Sequence, residues 1–511
     1  MRGAPIPHEV RWKSWWVVAA MAAGLAGNAA LGADWEKFRF DFFNRARNPT
    51  ETLRPPLDLI WCAPLPGQSG SLTSSPAVVG CALFVVDANG SLHALDANSG
   101  SPIWTFAPGM LGTPGFGPDE QGSARKGRSS PDAPVGNDRV YYAVGYKVFG
   151  VRRDLADAWT FTGTLGRVVH GFYSSPAVDC SRDELWIGGD GIYKLHASTG
   201  TPYINGHYDG LSDGFFLDIW HSSPLLLDEQ VVIGAGSLVI SVDRCTVRKR
   251  WYVNPGGIVM ATPAYDPVRQ RILFGTLSSA GDGRLYCVDP SGIVVWWADA
   301  GNQWAGPVLE TDNPDPNSGT AYIQTGGLGG SPTAFGMRAY IVNPAGPTGL
   351  PTWTMARLEL GFNWESSPSL VGNSVDGVLY AASDISYMVT FRASDGLPAV
   401  PADVLGVNGN INAQPTPANG FVYVYDDAGK IVAYSSPGYV PPVVGCSLTQ
   451  TGMAPCLRPP PPLGAYLSTS STELCAGSDF LVVLTLTNGG TAQIDNVGVA
   501  SFAIIGPPPL W

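Results

Sequence analysis

The stretch Ser74-Ser75-Pro76-Ala-Val-Val-Gly80-Cys81-Ala-Leu-Phe84-Val-Val-Asp87-Ala-Asn-Gly90-Ser-Leu-His93-Ala-Leu-Asp96-Ala-Asn-Ser-Gly100-Ser-Pro102-Ile-Trp104 decides the fold. It opens on small hydroxyl residues and a proline, runs through apolar residues, turns at Asp87 to Gly90, and alternates from Leu92 to Asp96. A second turn at Gly100 leads to a last run that carries an aromatic ring. Period-two alternation punctuated by Gly, Asp and Asn predicts short strands joined by hairpins. The opening recurs as Ser129-Ser130-Pro131, Ser174-Ser175-Pro176, Ser222-Ser223-Pro224, Ala261-Thr262-Pro263, Ala305-Gly306-Pro307, Ser366-Ser367-Pro368 and Ala413-Gln414-Pro415. Successive prolines stand 55, 45, 48, 39, 44, 61 and 47 residues apart. Such a period marks a repeated supersecondary unit that buries its faces only against its neighbours.

Every unit repeats the same order: a β-rich run such as Val140-Tyr141-Tyr142 or Phe421-Val422-Tyr423-Val424, a tight turn, and a second run such as Leu285-Tyr286-Cys287-Val288-Asp289. A last strand carries Trp104, Trp159, Tyr203, Trp251, Trp296 with Trp297, or Trp353. Four strands per unit make one propeller blade. The first strand lines a narrow axis where only small side chains fit, and as an edge strand it loses no ladder bond to proline. Asp96 binds turn amides, Gly100 supplies a positive φ, and the outer aromatic fills the widening gap between blades. The unit from Pro415 to Tyr434 has no fourth strand, while Leu57-Asp58-Leu59-Ile60-Trp61-Cys62 is an orphan run with Trp61 in the outer position. Pairing them closes the ring and removes open edges. The expected fold is all-β: an eight-bladed β-propeller closed by an N-terminal strand, followed by a partial β-sandwich.

The pattern of residues 74–104 resembles the PQQ-like repeat, over roughly residues 57–436. Quinoprotein alcohol dehydrogenases share that repeat with non-enzymatic propellers, including the scaffold subunit of the outer-membrane barrel-assembly machinery. The resemblance is specific for fold and poor for function, because these residues maintain blades. For the dehydrogenases it implies pyrroloquinoline quinone (PQQ) and calcium at the wide channel mouth, under a vicinal cysteine pair, over a Trp floor, with a Glu/Asn/Asp calcium set and an Asp base. No two of the eight cysteines are adjacent here.

The formal charge is −12, and removing residues 1–32, with Arg2, Arg11, Lys13 and Glu9, leaves −14. That surface repels phosphate backbones, so no nucleic-acid partner is expected. Residues 1–32 read as a signal peptide: a basic start, an apolar run from Trp15 to Leu25, and Ala30 and Gly32 placed for cleavage before Ala33. The alternative is an uncleaved anchor, the one expected route to a membrane. Residues 33–56 form an N-terminal lead-in, 57–436 the propeller, 437–463 a Pro-rich linker and 464–511 a partial immunoglobulin-like sandwich. That last piece is too short to close a sandwich of about 100 residues, which favours a fragment of a longer chain over a poorly packed one. The preferred disulfide is Cys446 with Cys456, the second Cys62 with Cys81. No CxxC pair indicates zinc or redox work.

Segments just before the repeat prolines converge at one mouth. They bring His170, Tyr173, Trp220, His221, Trp304, Trp364, Glu365, Asn408, Asn410 and Asn412, a pocket with aromatic walls, against the reading that His and Trp merely fill gaps between blades. Glu365 is the one acid directly before a repeat proline, whereas calcium prefers several oxygen ligands. Asp213 and Asp218 join it only if their loop folds inward. Asp312 to Gly319 lacks the spacing of a calcium loop and reads as a solvated hairpin turn between the first two strands of the sixth blade. The Gly-rich insertion 107–128, with Arg125, Lys126 and Arg128, reads as a loop or partner-binding lid. HExxH and HxH are absent. The expectation is an exported binding or scaffolding propeller for a protein or polysaccharide partner, without catalysis or cofactor. The alternative is a PQQ- and calcium-dependent alcohol or sugar dehydrogenase.

Overall fold

Each proline-led unit becomes one antiparallel sheet whose strands follow chain order outward from a common axis, where first strands of neighbouring units meet. The computed structural model describes residues 34–439 except 66–73, 88, 109–129, 135–136, 164–170, 316–317, 327–334, 344–348, 350, 358–359, 361–365, 384, 401–403 and 407–408, together with Cys446, Leu448 and two later strands. Blade 1 spans Ala77–Val79, Ala82–Val86, Leu92–Asp96 and Pro102–Phe106. Blades 3 to 6 repeat that plan, and blade 2 shows three strands, with its inner position held by the Asp132–Tyr141 bridge. In blade 8 the strand Asp58–Pro64 lies antiparallel on Lys430–Ser435, so the ring closes as the orphan run predicts. Among the described residues the one helical element is a 3-10 turn at Leu211–Asp213. The expected signal segment and the basic residues 125, 126 and 128 lie outside the described residues. In the tail Tyr466–Thr469 and Val482–Thr485 pair antiparallel.

Alternation sends the two faces of one sheet into different cores. Leu83, Val85 and Leu95 pack with Phe421, Tyr423 and Ile431 of blade 8. Phe84, Val86 and Ala94 pack with Val140, Tyr142 and Val151 of blade 2. Farther out, the blade's indole bridges to the next sheet. Nε1 of Trp61, Trp104, Trp159, Trp251, Trp296 and Trp353 donates to a carbonyl of the following blade at 2.7–3.1 Å: Ala97, Arg153, Ala197, Pro290, Val342 and Ala393. Of the pair Trp296–Trp297, Trp296 is the buried one. The turn beneath the ring must be glycine: a Cβ at Gly100, whose φ is +70°, would sit 2.5 Å from Trp61. Trp61 thus ties the shared blade 8 to blade 1 as five other seams are tied.

Cysteine pairing differs from both expectations. Cys81, in the first turn of blade 1, is bonded to Cys446 in the segment after blade 8, across 365 residues. Cys62 is exposed and free. The reason is geometric: Asp96 accepts the Cys446 N–H at 3.2 Å, Leu448 packs on the core of blades 1 and 2, and the returning chain lies over Cys81.

The lead-in, which the sequence leaves unassigned, closes one end of the channel. Trp35 pairs with Val78, and the carbonyls of Glu36, Phe42, Phe43, Arg45 and Ala46 accept N–H groups of Ala133, Leu226, Tyr265, Leu309 and Leu370. Each of those residues lies two positions past its repeat proline. Arg47–Asn48 runs parallel to Leu370–Val371, and Asn48 donates to the Pro417 carbonyl at 3.0 Å. Blade 3 completes the circuit by giving its Val178 N–H to Asp132 at 3.0 Å. Trp35, Arg39, Asn44, Ala46 and Asn48 are fully buried. Beside them, burial pushes the Asp132 carboxyl up to about 7, against the pull of Lys37.

Three outcomes test this architecture. Trp61→Ala should lower unfolding free energy by about 3 kcal/mol, whereas Trp297→Ala, whose ring is 37% exposed, should change it by less than about 1 kcal/mol in urea titrations. Cys81→Ser should cost up to about 6 kcal/mol, the loop-entropy value for so long a closure, and Cys62→Ser should leave the midpoint unchanged. Asp132 binds its proton more tightly folded than unfolded, so its contribution is full below the ordinary carboxylate range and fades as pH rises through about 7. Asp132→Asn should therefore flatten the fall in urea midpoint between pH 5 and pH 8; an unchanged slope refutes the assignment.

Candidate functional site

Three layers stack along the inner strands. At the proline and two residues beyond it sits the lead-in. One residue before the proline is a belt of hydrogen bonds: the N–H groups of Ser75, Ser130, Ser175 and Ser223 donate to the hydroxyls of Ser130, Ser175, Ser223 and Thr262 at 2.9–3.0 Å. Gly306 donates to Ser367 at 3.3 Å and Gln414 to Ser75 at 2.8 Å. Position 306 has no hydroxyl and position 414 a longer amide, and Arg39 enters at both. Its N–H meets Gln414 Oε1 at 3.1 Å, its guanidinium donates to the Pro307 carbonyl, and a Cβ on Gly306 would lie 2.6 Å from its Nη1. Burial lowers the Arg39 pKa to about 9.

Three and four residues before the proline lies the predicted mouth. Tyr173 of blade 3 meets Trp220 and His221 of blade 4 with ring centroids 6.1 and 5.2 Å apart. Trp220 and His221 lie 5.7 Å apart, and His221 reaches across blade 5 to Trp304 of blade 6 at 6.4 Å. Four predicted residues thus form one aromatic arc over blades 3 to 6. Tyr173 is buried and the other three are half-buried. His221 holds a φ of +65°, uncommon for a side chain of this size and a mark of local constraint. Asn410 and Asn412 stand on the blade 8 side, where the Asn410 N–H donates to Asp427 at 2.8 Å. His170, Trp364, Glu365 and Asn408 lie outside the described residues.

The segment leading to Trp220 adds a surface that residue type alone did not reveal. Phe215 packs on Tyr252 of the blade 4 outer strand at 4.8 Å, with the Lys249 ammonium 4.9 Å from the Phe215 ring. Leu211, Phe216 and Tyr252 are 41%, 60% and 48% exposed, so apolar surface runs outward from the arc. Lys249 is held by Asp213 at 2.9 Å, which turns that carboxylate outward to a cation. Asp218 is then the carboxylate nearest in sequence to the arc.

Calcium with a quinone needs several convergent oxygen ligands. Among the described residues no group of three His, Cys, Asp or Glu side chains is placed to share a metal ion. The described donors at the mouth are indole, phenol, imidazole and amide, and Glu365 lies outside the described residues. At Asp312 to Gly319 the carbonyls of Asn313 and Asp315 and the Ser318 hydroxyl accept from the Arg269 guanidinium, itself paired with Asp266 at 2.8 Å. A fixed cation of the chain occupies that hairpin, in its expected place between strands Val308–Glu310 and Thr320–Thr325.

One hydrogen-bonded series imitates a catalytic triad: Asp87 to His93 at 2.9 Å, and His93 to the exposed Thr105 hydroxyl at 2.9 Å. Its work is in the turn, because Asp87 also accepts the Asn89 and Ser91 N–H groups. In blade 8 the same turn acid is Asp426, opposite Val432 where blade 1 has its imidazole. One Asp426 oxygen is left without a donor, and burial raises its pKa.

No protein-family profile matches the sequence. A curated relative, the outer membrane protein assembly factor BamB of Burkholderia pseudomallei (strain K96243), is 35% identical over 77 residues, 15% of this chain and 20% of that protein. The match therefore spans about a fifth of the relative's length. Among solved structures, the quinohemoprotein alcohol dehydrogenase of Comamonas testosteroni aligns at TM-score 0.58 and 14% identity, covering 82% of this chain and 83% of that one. BamB of Moraxella catarrhalis aligns at TM-score 0.51 and 12% identity, covering 76% and 99%. By its closed blades the chain is an eight-bladed β-propeller, similar in fold to quinohemoprotein alcohol dehydrogenase and to BamB.

Proposed function

We propose that this propeller is an exported binding or scaffolding module, without catalysis of its own, whose protein or polysaccharide partner docks on the mouth carrying Tyr173, Trp220, His221 and Trp304. The observation that carries the reading is the one-sided channel. The lead-in fills one end with buried, hydrogen-bonded backbone, while the other end presents half-buried aromatic rings continued by Leu211, Phe216 and Tyr252. Apolar surface framed by a rigid scaffold is what macromolecular recognition uses. Resemblance to an outer membrane assembly factor supports a protein partner, and the basic, apolar and small-residue order of residues 1–32 supports export to the periplasm or beyond. The tail that follows the Pro-rich spacer fits a surface module.

A photo-crosslinking residue at position 304 or 216 should capture the partner from the envelope of the producing cell. The same residue at position 268, exposed on the lead-in side, should not, and Trp220→Ala should abolish capture at 216. Capture from 268 alone removes the mouth from the proposal. Titration with PQQ and calcium tests the alternative: stoichiometric quinone binding followed by dye reduction with an alcohol would replace the scaffold reading by a dehydrogenase.

A further inference from the structure

On the face opposite the mouth, a cleft of about 200 Å³ opens between the lead-in and blade 7, bounded by Arg54, Pro55, Val375, Asp376, Arg392 and Ser394. Its charges are unevenly spent. Arg392 gives two hydrogen bonds to Asp395, at 3.0 and 2.6 Å, so that cation is matched within its own turn. Arg54 has no carboxylate partner among the described residues. Its Nε donates to the Asp376 carbonyl at 3.2 Å and its Nη1 to the Leu53 carbonyl at 2.9 Å. Its Nη2 lies so close over Gly372 that an added Cβ would stand 2.6 Å away. Two carbonyls and a glycine therefore hold the guanidinium, and Arg54 lines the cleft. A held guanidinium forgoes the ordering cost that weakens flexible surface cations, and its planar fork matches a carboxylate.

We propose that this cleft binds a terminal carboxylate borne on a small apolar group. Val375, 80% exposed at its rim, and Pro55 give the apolar wall. The volume is below the ~300 Å³ at which drug-sized pockets begin, so one residue-sized group fits and a polymer does not. The Asp376 carboxylate, exposed and without a side-chain partner among the described residues, repels a dianion such as phosphate. It favours a single negative charge with an N–H close by, as at the last residue of a peptide or in an N-acylated amino acid. This site is independent of the mouth, and failure at either leaves the other standing.

Titration of the full chain with N-acetyl-leucine, a pentapeptide ending in a free leucine carboxylate, their amides and inorganic phosphate decides the matter. Both carboxylates should saturate below about 10 mM, and the amides should bind at least about ten-fold more weakly for want of the charge-assisted bond. Binding of the pentapeptide assigns the site to chain termini; saturation by N-acetyl-leucine alone assigns it to free acids. Val375→Glu, which alters an exposed side chain, should weaken binding at least about ten-fold with melting temperature unchanged, and Arg54→Lys at least about three-fold through loss of the fork. Amides or phosphate binding as tightly as the carboxylates, no saturation, or indifference to Val375→Glu overturns the proposal.

Discussion

Closure of the belt one residue before each repeat proline is the constraint on which the rest of the structure depends. An inner strand at a propeller axis has no ladder partner on its inward side, so its buried N–H groups must find acceptors elsewhere. A hydroxyl on the next blade supplies one at 2.9–3.0 Å at four successive seams. Only a small residue reaches that distance without filling the axis. The same choice makes the axis narrow enough for one extended peptide to plug it. Where positions 306 and 414 depart from Ser and Thr, the plug delivers Arg39, which donates to the Gln414 amide oxygen and the Pro307 carbonyl.

That substitution gives an eightfold pattern a direction. With one end sealed by backbone that contacts nearly every blade, chemistry is left to the residues before the prolines and to connections of unequal length. Blade 5 places the buried aliphatic residues Val259 and Met260 at its mouth positions, and His221 of blade 4 meets Trp304 of blade 6. Among the described residues the mouth is aromatic over blades 3 to 6 and amide-bearing near blade 8.

The fold was legible because its seams reuse residue types. An outer indole, a glycine beneath it and a hydroxyl before a proline recur because each solves the same local problem at one seam after another. The orphan run at Leu57 to Cys62 could be paired with Pro415 to Tyr434 for the same reason, one blade lacking what the other piece supplied. The lead-in could not be read, because its contacts are made once each, by backbone carbonyls that carry no residue signature. Its one trace was the missing hydroxyl at Gly306 and Gln414. Cysteine pairing failed through nearness in sequence: Cys456 is ten residues from Cys446, but ring closure brings Cys81 beneath Cys446. At the mouth, position before the proline located Tyr173, Trp220, His221 and Trp304. The exposed Leu211 and Phe216 were missed because their loop follows no repeat.

Ring closure explains why these separate devices sit at one seam. Seven blades are continuous in chain, and their neighbours are kept close by short connections, whereas blade 8 joins segments about 370 residues apart (Asp58 with Ser435). Bringing such ends together carries a loop-closure cost that grows with length, however slowly. Backbone pairing alone would leave the seam as the place where the ring opens first. There the chain adds the Trp61 indole on Ala97 and Gly100, Tyr439 against Phe421 at 4.9 Å, and the Cys81–Cys446 bond. The lead-in, laid across one end of the axis before the closing strand begins, ties that strand to blades 1, 2 and 4 to 7 as well. Opening the seam therefore means withdrawing the plug or straining it, so the ring and its sealed end are expected to come apart as one cooperative unit.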